Sequence, residues 1–97
     1  MVEYGLRLDG DVLRFLSNRK RLPPKQFRQI ALKIFALLLD PFPPDCKPVL
    51  DAWRVDVGEY RILYDVFTAE KVIVVILIGR RNDDEVYRRF ARKMGRR

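Results

Sequence analysis

The sequence predicts a small α+β domain: a helical hairpin packed on a mainly antiparallel sheet, with a C-terminal helix. Three observations carry this. Apolar residues recur at helical spacing between Val12 and Leu39. From Trp53 to Val66 they alternate with polar ones, the period of a half-buried strand. A run apolar on both faces, Val72 to Ile78, then ends at Gly79, just before a helix-start signal. Ninety-seven residues suffice for one core, so residues 1–97 are read as one domain.

Taken in order, Val2, Tyr4, Leu6 and Leu8 alternate with Glu3, Gly5 and Arg7, which predicts a first strand over 2–8. Asp9-Gly10-Asp11 interrupts it, and either aspartate suits the cap of a short helix carrying Val12, Leu13, Phe15 and Leu16. Pro23-Pro24 separates this helix from a longer one starting near Pro24, where proline is tolerated in the first turn. Its expected core stripe is Phe27, Ile30, Ala31, Ile34, Phe35 and Leu38, widened by Leu32, Leu37 and Leu39. Asp40-Pro41 ends it, and the prolines through Pro44 force an extended loop. A β-meander follows. Gly58-Glu59 fits a type II′ turn between two alternating strands, and a turn near Thr68-Ala69-Glu70 leads into the apolar strand. Asn82, three residues before Glu85, forms an Asn version of a capping box for a helix through about Met94. The predicted order is β-α-α-β-β-β-α.

Composition restricts the chemistry. The chain has no histidine and one cysteine, Cys46, so imidazole or multi-cysteine zinc sites, Ser-His-Asp triads and internal disulfides are excluded. Neither metal nor cofactor is expected. The N-terminus lacks the basic region and apolar core of a signal peptide, and the longest apolar run is too short to span a bilayer. A cytoplasmic protein without membrane contact is expected. The net charge of +7 is uneven: residues 80–97 carry eight basic and three acidic groups, residues 41–79 four and six. Such a tail favours a polyanion, nucleic acid or an acidic protein; the plain alternative is a solvated helix face.

The turn fixes a register. With Val57 opposite Tyr60, Asp56 opposes Arg61, Val55 opposes Ile62 and Arg54 opposes Leu63. Trp53, Tyr60 and Tyr64 then share the apolar face and are read as core. Arg54, Asp56, Arg61 and Asp65 share the other face with Leu63, as the wall of a groove would.

Two segments, Leu50-Asp-Ala-Trp-Arg-Val-Asp-Val-Gly-Glu-Tyr-Arg-Ile-Leu-Tyr64 and Ile78-Gly-Arg-Arg-Asn-Asp-Asp-Glu-Val-Tyr87-Arg, resemble the RelE/ParE toxin superfamily, and most closely its RelE branch. With the helical hairpin, the resemblance covers nearly the whole chain. It implies the toxin of a type II toxin-antitoxin system, a ribosome-dependent endonuclease that cleaves mRNA in the A site. The ribose 2′-hydroxyl attacks the adjacent phosphate, leaving a 2′,3′-cyclic phosphate and a 5′-hydroxyl. Partners implied are the ribosome with its mRNA and a cognate antitoxin, in a toxin-antitoxin hetero-oligomer. The family's functional positions are occupied here by Arg54, Arg61, Arg81 and Tyr87. Two positions depart: Asp56 stands where several ribosome-dependent members are basic, and Arg80 where relatives often carry histidine.

Each of these residues has a plainer reading beside the catalytic one. Arginine binds phosphate oxygens through its fork but transfers protons poorly, its pKa lying above about 12. Tyr87 serves as a base only if neighbouring cations bring its phenol below the usual value of roughly 10; otherwise it packs beside Val86 and Phe90. Arg61 is positioned for a cross-strand pair with Asp56, and Arg81 for a junction pair with Asp83 or Asp84. Arg80, Arg88, Arg89, Arg92 and Lys93, with Arg96 and Arg97, are read as contacts to RNA or to an acidic antitoxin segment. Two competing functions keep the fold: a ParE-like inhibitor of DNA gyrase, and a non-catalytic module that binds RNA or antitoxin. ParE relatives that poison gyrase generally lack the arginine and tyrosine combination of Arg81 and Tyr87.

Overall fold

The computed structural model describes residues 3–82 and 84–95. Eight elements follow one another: β1 (Gly5–Leu8), α1 (Gly10–Ser17), α2 (Pro24–Leu39), β2 (Lys47–Val49), β3 (Ala52–Val57), β4 (Tyr60–Phe67), β5 (Val72–Arg80) and α3 (Asp84–Gly95). The five strands form one sheet in the order β1-β5-β4-β3-β2, with β1 parallel to β5 and the other pairs antiparallel. The predicted α+β class and the helical hairpin are present.

One strand was not anticipated. Lys47–Val49 pairs with Ala52–Arg54 at the sheet edge, just after the loop that the prolines through Pro44 predict. The strand is too short to display a period. Pro48 is tolerated there because an edge strand needs ladder bonds on one side only. The first strand is shorter than 2–8, starting at Gly5, and Val2 lies outside the described residues. The capping box expected of Asn82 and Glu85 turns on residue 83, also outside them; α3 is described from Asp84.

The core-facing stripe of α2 also differs. Ile30, Ile34 and Leu37 are buried against the sheet, whereas Phe27, Leu32, Phe35 and Leu39 are exposed. Apolar residues surround most of this helix, so periodicity alone left its rotation open. The displaced residues have a surface of their own: Leu13 and Leu16 of α1, with Phe27, Ala31 and Phe35, line an open groove of about 850 Å³.

The sheet carries a core on each face. Against the helical hairpin lie Val55, Tyr60, Ile62, Tyr64, Ile73 and Val75; against α3 lie Ala52, Leu63, Val74, Ile76 and Leu77, with Val86 and Phe90. Tyr60 and Tyr64 are buried and Trp53 packs against the first core, as the register implied. Tyr64 Oη donates to Pro41 O at 2.8 Å, which ties the proline loop to β4, and burial pushes the phenol pKa well up.

A bulge decides what each end of β5 presents. Leu63 pairs with Leu77 but Tyr64 with Val75, so Ile76 is an extra residue and the alternation reverses there. Beyond the bulge, Ile78 joins the hairpin-side core while Leu77 joins the α3 side. Gly79, opposite Arg61, follows Leu77 to the α3 side. A Cβ on Gly79 would come within 1.7 Å of Val86 Cγ2, so α3 rests directly on this glycine. That close seat brings the helix bearing Tyr87 onto the strand beside Arg61.

Candidate functional site

The β3–β4 register is the one inferred: Val57 opposes Tyr60, Asp56 opposes Arg61, Val55 opposes Ile62 and Arg54 opposes Leu63. Gly58 supplies φ +57, as the first residue of a type II′ turn requires. The charged face of this hairpin is only partly covered. α3 buries Leu63, while Arg54, Asp56 and Arg61 stay partly exposed.

Arg61 is the centre of the cluster. Its Nε donates to Asp56 Oδ1 at 2.7 Å and its Nη2 to Asp56 Oδ2 at 3.1 Å, a fork on both oxygens. Its Nη1 donates to Tyr87 Oη, and its guanidinium carbon lies 5.5 Å from the centroid of the Tyr87 ring. Arg61 thus fixes the tyrosine to the hairpin. Tyr87 is at the same time packed at the edge of the α3-side core, as its plainer reading has it.

Arg81 reaches the cluster from the end of β5. Its backbone N–H donates to Glu59 O at 2.9 Å and its Nη1 to Gly58 O at 3.3 Å, which anchors the residue to the β3–β4 turn. Its Nε lies 3.4 Å from Asp56 Oδ2. The junction pair was expected with Asp83 or Asp84; the structure gives Arg81 the hairpin aspartate instead, and Asp83 lies outside the described residues. Gly58, Glu59, Arg61, Arg80, Arg81 and Asn82 line an open cleft of about 450 Å³.

Protonation follows from these contacts. Hydrogen bonds from Arg61, then the charges of Arg61, Arg81 and Arg54, hold the Asp56 carboxyl below its ordinary value against the opposing effect of burial. The Asp56 hydrogen bond raises Arg61 further above its already high value. Asp56 is therefore a fixed anion and Arg61 a fixed cation. Neither exchanges protons near neutral pH.

The remaining expected residues divide. Arg54, opposed by Leu63 and Lys47, acts on Asp56 through space and does not line the cleft. Arg80 falls on the hairpin side of the sheet because of the bulge, 5.6 Å from the centroid of the Tyr60 ring and 3.5 Å from Glu59. Arg88, Arg89 and Arg92 are exposed on α3, with Glu85 pairing Arg88 at 3.5 Å and Arg92 at 3.2 Å. Lys93 is engaged inside the fold: its Nζ donates to Ile76 O at 2.7 Å and pairs with Asp11 at 3.0 Å and Asp9 at 3.3 Å. Arg96 and Arg97 lie outside the described residues. Among the described residues no three Cys, Asp or Glu side chains gather as a metal site would need, and no helix is long and apolar enough to cross a membrane.

The family model for the ParE toxin of type II toxin-antitoxin systems matches residues 11–85. No curated protein matches. Among solved structures, the RelBE2 toxin-antitoxin complex of Mycobacterium tuberculosis is similar with a TM-score of 0.71 and 25% identity, over 86% of this chain and 97% of that one. The archaeal RelE-RelB complex of Pyrococcus horikoshii gives 0.70 and 23%, over 84% and 98%, and the isolated RelE toxin of E. coli gives 0.68 and 23%, over 94% and 98%. These last two share the fold. The matched span holds α2, strands β2 to β5 and the arginine cluster, so the chain belongs to the ParE toxin family of type II toxin-antitoxin systems, within the RelE/ParE superfamily.

Proposed function

We propose that this toxin is a metal-independent endoribonuclease that cleaves mRNA in the ribosomal A site. The observation that carries the reading is the convergence of Arg61 and Arg81 at one cleft, with Arg61 also donating to the hydroxyl oxygen of Tyr87. In-line attack by a ribose 2′-oxygen builds negative charge on the phosphate, and two guanidinium groups at the same edge compensate it. Tyr87, in its phenolate form, accepts the 2′-proton at Oη, and Arg61 offsets the negative charge on that oxygen beforehand. The new bond joins O2′ to phosphorus and the bond to O5′ breaks, giving a 2′,3′-cyclic phosphate and a 5′-oxygen that takes a proton from water. Arg54 adds to the field, and Arg80, Arg88, Arg89 and Arg92 give electrostatic footing along RNA. Lys93, held by Asp9 and Asp11, contributes less of its charge to such footing.

The partners proposed are the ribosome with its mRNA and a cognate antitoxin, in the cytoplasm and in a toxin-antitoxin hetero-oligomer. Two of the similar structures are toxin-antitoxin complexes. The apolar groove between α1 and α2, which Arg19 and Arg28 help to line, suits an amphipathic, acidic antitoxin segment.

One observation favours a second reading, inhibition of DNA gyrase: the matching family model is that of ParE, and its span stops short of Tyr87. Induction in bacteria separates the two. With mRNA 5′ ends mapped against reading frames, the nuclease reading predicts cuts in register with codons. DNA breakage without such cuts would identify gyrase as the target.

A further inference from the structure

Asp56 has no part in the chemistry above, yet it sits at the centre of the cations that chemistry uses. Its two oxygens accept from Nε and Nη2 of Arg61 at 2.7 and 3.1 Å, and one of them lies 3.4 Å from Nε of Arg81. Two guanidinium groups, one from β4 and one from the turn after β5, already share one two-oxygen anion, the arrangement in which they would hold two oxygens of a phosphodiester. We propose that Asp56 is an internal anion that competes with the substrate phosphate for Arg61 and Arg81. The proposal rests on reading the cleft as a phosphate site.

The donors left over support this competition. Arg61 also gives Nη1 to Tyr87, so it is largely engaged before any ligand arrives, while Arg81, 53% exposed, also gives Nη1 to Gly58 O and is engaged in part. The Arg61 side chain is only 13% exposed and stays in place, whereas that of Asp56 is 32% exposed and has solvent to turn into. Phosphate entry therefore exchanges the carboxylate for a ligand oxygen. Until then Asp56 keeps the two cations converged and lowers the net charge offered by Arg54, Arg61 and Arg81. Free phosphate is consequently held weakly. A nucleic acid that also engages the exposed arginines of α3 gains what a lone phosphate lacks.

The test is a titration with inorganic phosphate, followed by NMR, of the unmodified protein, Asp56→Asn and Asp45→Asn. The last removes the same charge from a carboxylate that pairs with Lys33 at 2.8 Å and with neither Arg61 nor Arg81. Asp56→Asn is expected to bind phosphate at least about tenfold tighter, the scale of deleting a unit charge a few ångströms from an anion near a protein surface. Asp45→Asn is expected to match the unmodified protein. Equal or weaker binding by Asp56→Asn overturns the proposal while leaving the phosphate site standing; no binding by any of the three overturns both. The unmodified protein gives a second readout should the variant not fold. Its Arg61 Nε–H resonance moves as phosphate displaces Asp56, and a resonance unchanged at saturation overturns the proposal. No cleavage is needed, so a protein that binds phosphate without cutting RNA still decides the question.

Discussion

At the scale of single residues, charge in this site is fixed by pairing, and pairing has a pH signature. Asp56 is held below the ordinary carboxylate value of 3.8 by Arg61 foremost. As acid is added, the unfolded chain takes up this proton first, so the contribution of Asp56 is complete above roughly pH 4 and is lost as pH falls through its lowered folded value. Asp56→Asn is therefore expected to be less stable by about 1 kcal/mol at pH 7, with the gap closing below about pH 4. Thermal unfolding from pH 7 to pH 3 measures this, and a gap that widened in acid would contradict the pairing. The Asp56–Arg61 pair was legible in the sequence because a two-residue turn fixes its own register. The Arg81–Asp56 contact was not, since it depends on where the far end of β5 meets the turn, and no local pattern encodes that.

At the scale of elements, the site is assembled by the seating of α3. Gly79 lies opposite Arg61 and directly beneath Val86, one residue before Tyr87. Gly79→Ala is expected to lift α3, part Tyr87 from Arg61 and lower stability by about 1–3 kcal/mol through overpacking. Loss of the Arg61–Tyr87 nuclear Overhauser contacts in a still-folded variant checks this; an undisturbed contact would mean that α3 does not seat on the glycine. The sequence showed Gly79 as the end of a strand and no more. The bulge at Ile76, which turns Gly79 toward α3 and Arg80 away from it, leaves no trace in an apolar run where every position is hydrophobic. The same ambiguity hid the rotation of α2, whose Phe27 and Phe35 line a groove instead of the core.

At the scale of the whole molecule, two faces of one sheet have separate tasks. The helical hairpin covers one face and leaves an apolar groove outside it; α3 covers part of the other and leaves the arginine cleft at its edge. The α+β class, the element order apart from β2, and the Asp56–Arg61 pairing were readable from periodicity, turn chemistry and register. The division of the basic tail was not. Lys93 looks like its neighbours in sequence, but in three dimensions it ties α3 to Asp9 and Asp11 at the start of α1. On the proposed function, the net charge of +7 favours a polyanionic partner and the cleft is the place of reaction on it. The most direct test uses purified protein on ribosomes carrying a defined mRNA, comparing the unmodified chain with Tyr87→Phe under single-turnover conditions. The account predicts cleavage to a 2′,3′-cyclic phosphate and a 5′-hydroxyl, slowed by about 10²–10⁴-fold in the variant. Cleavage at an undiminished rate by Tyr87→Phe, or none by the unmodified protein, would contradict it.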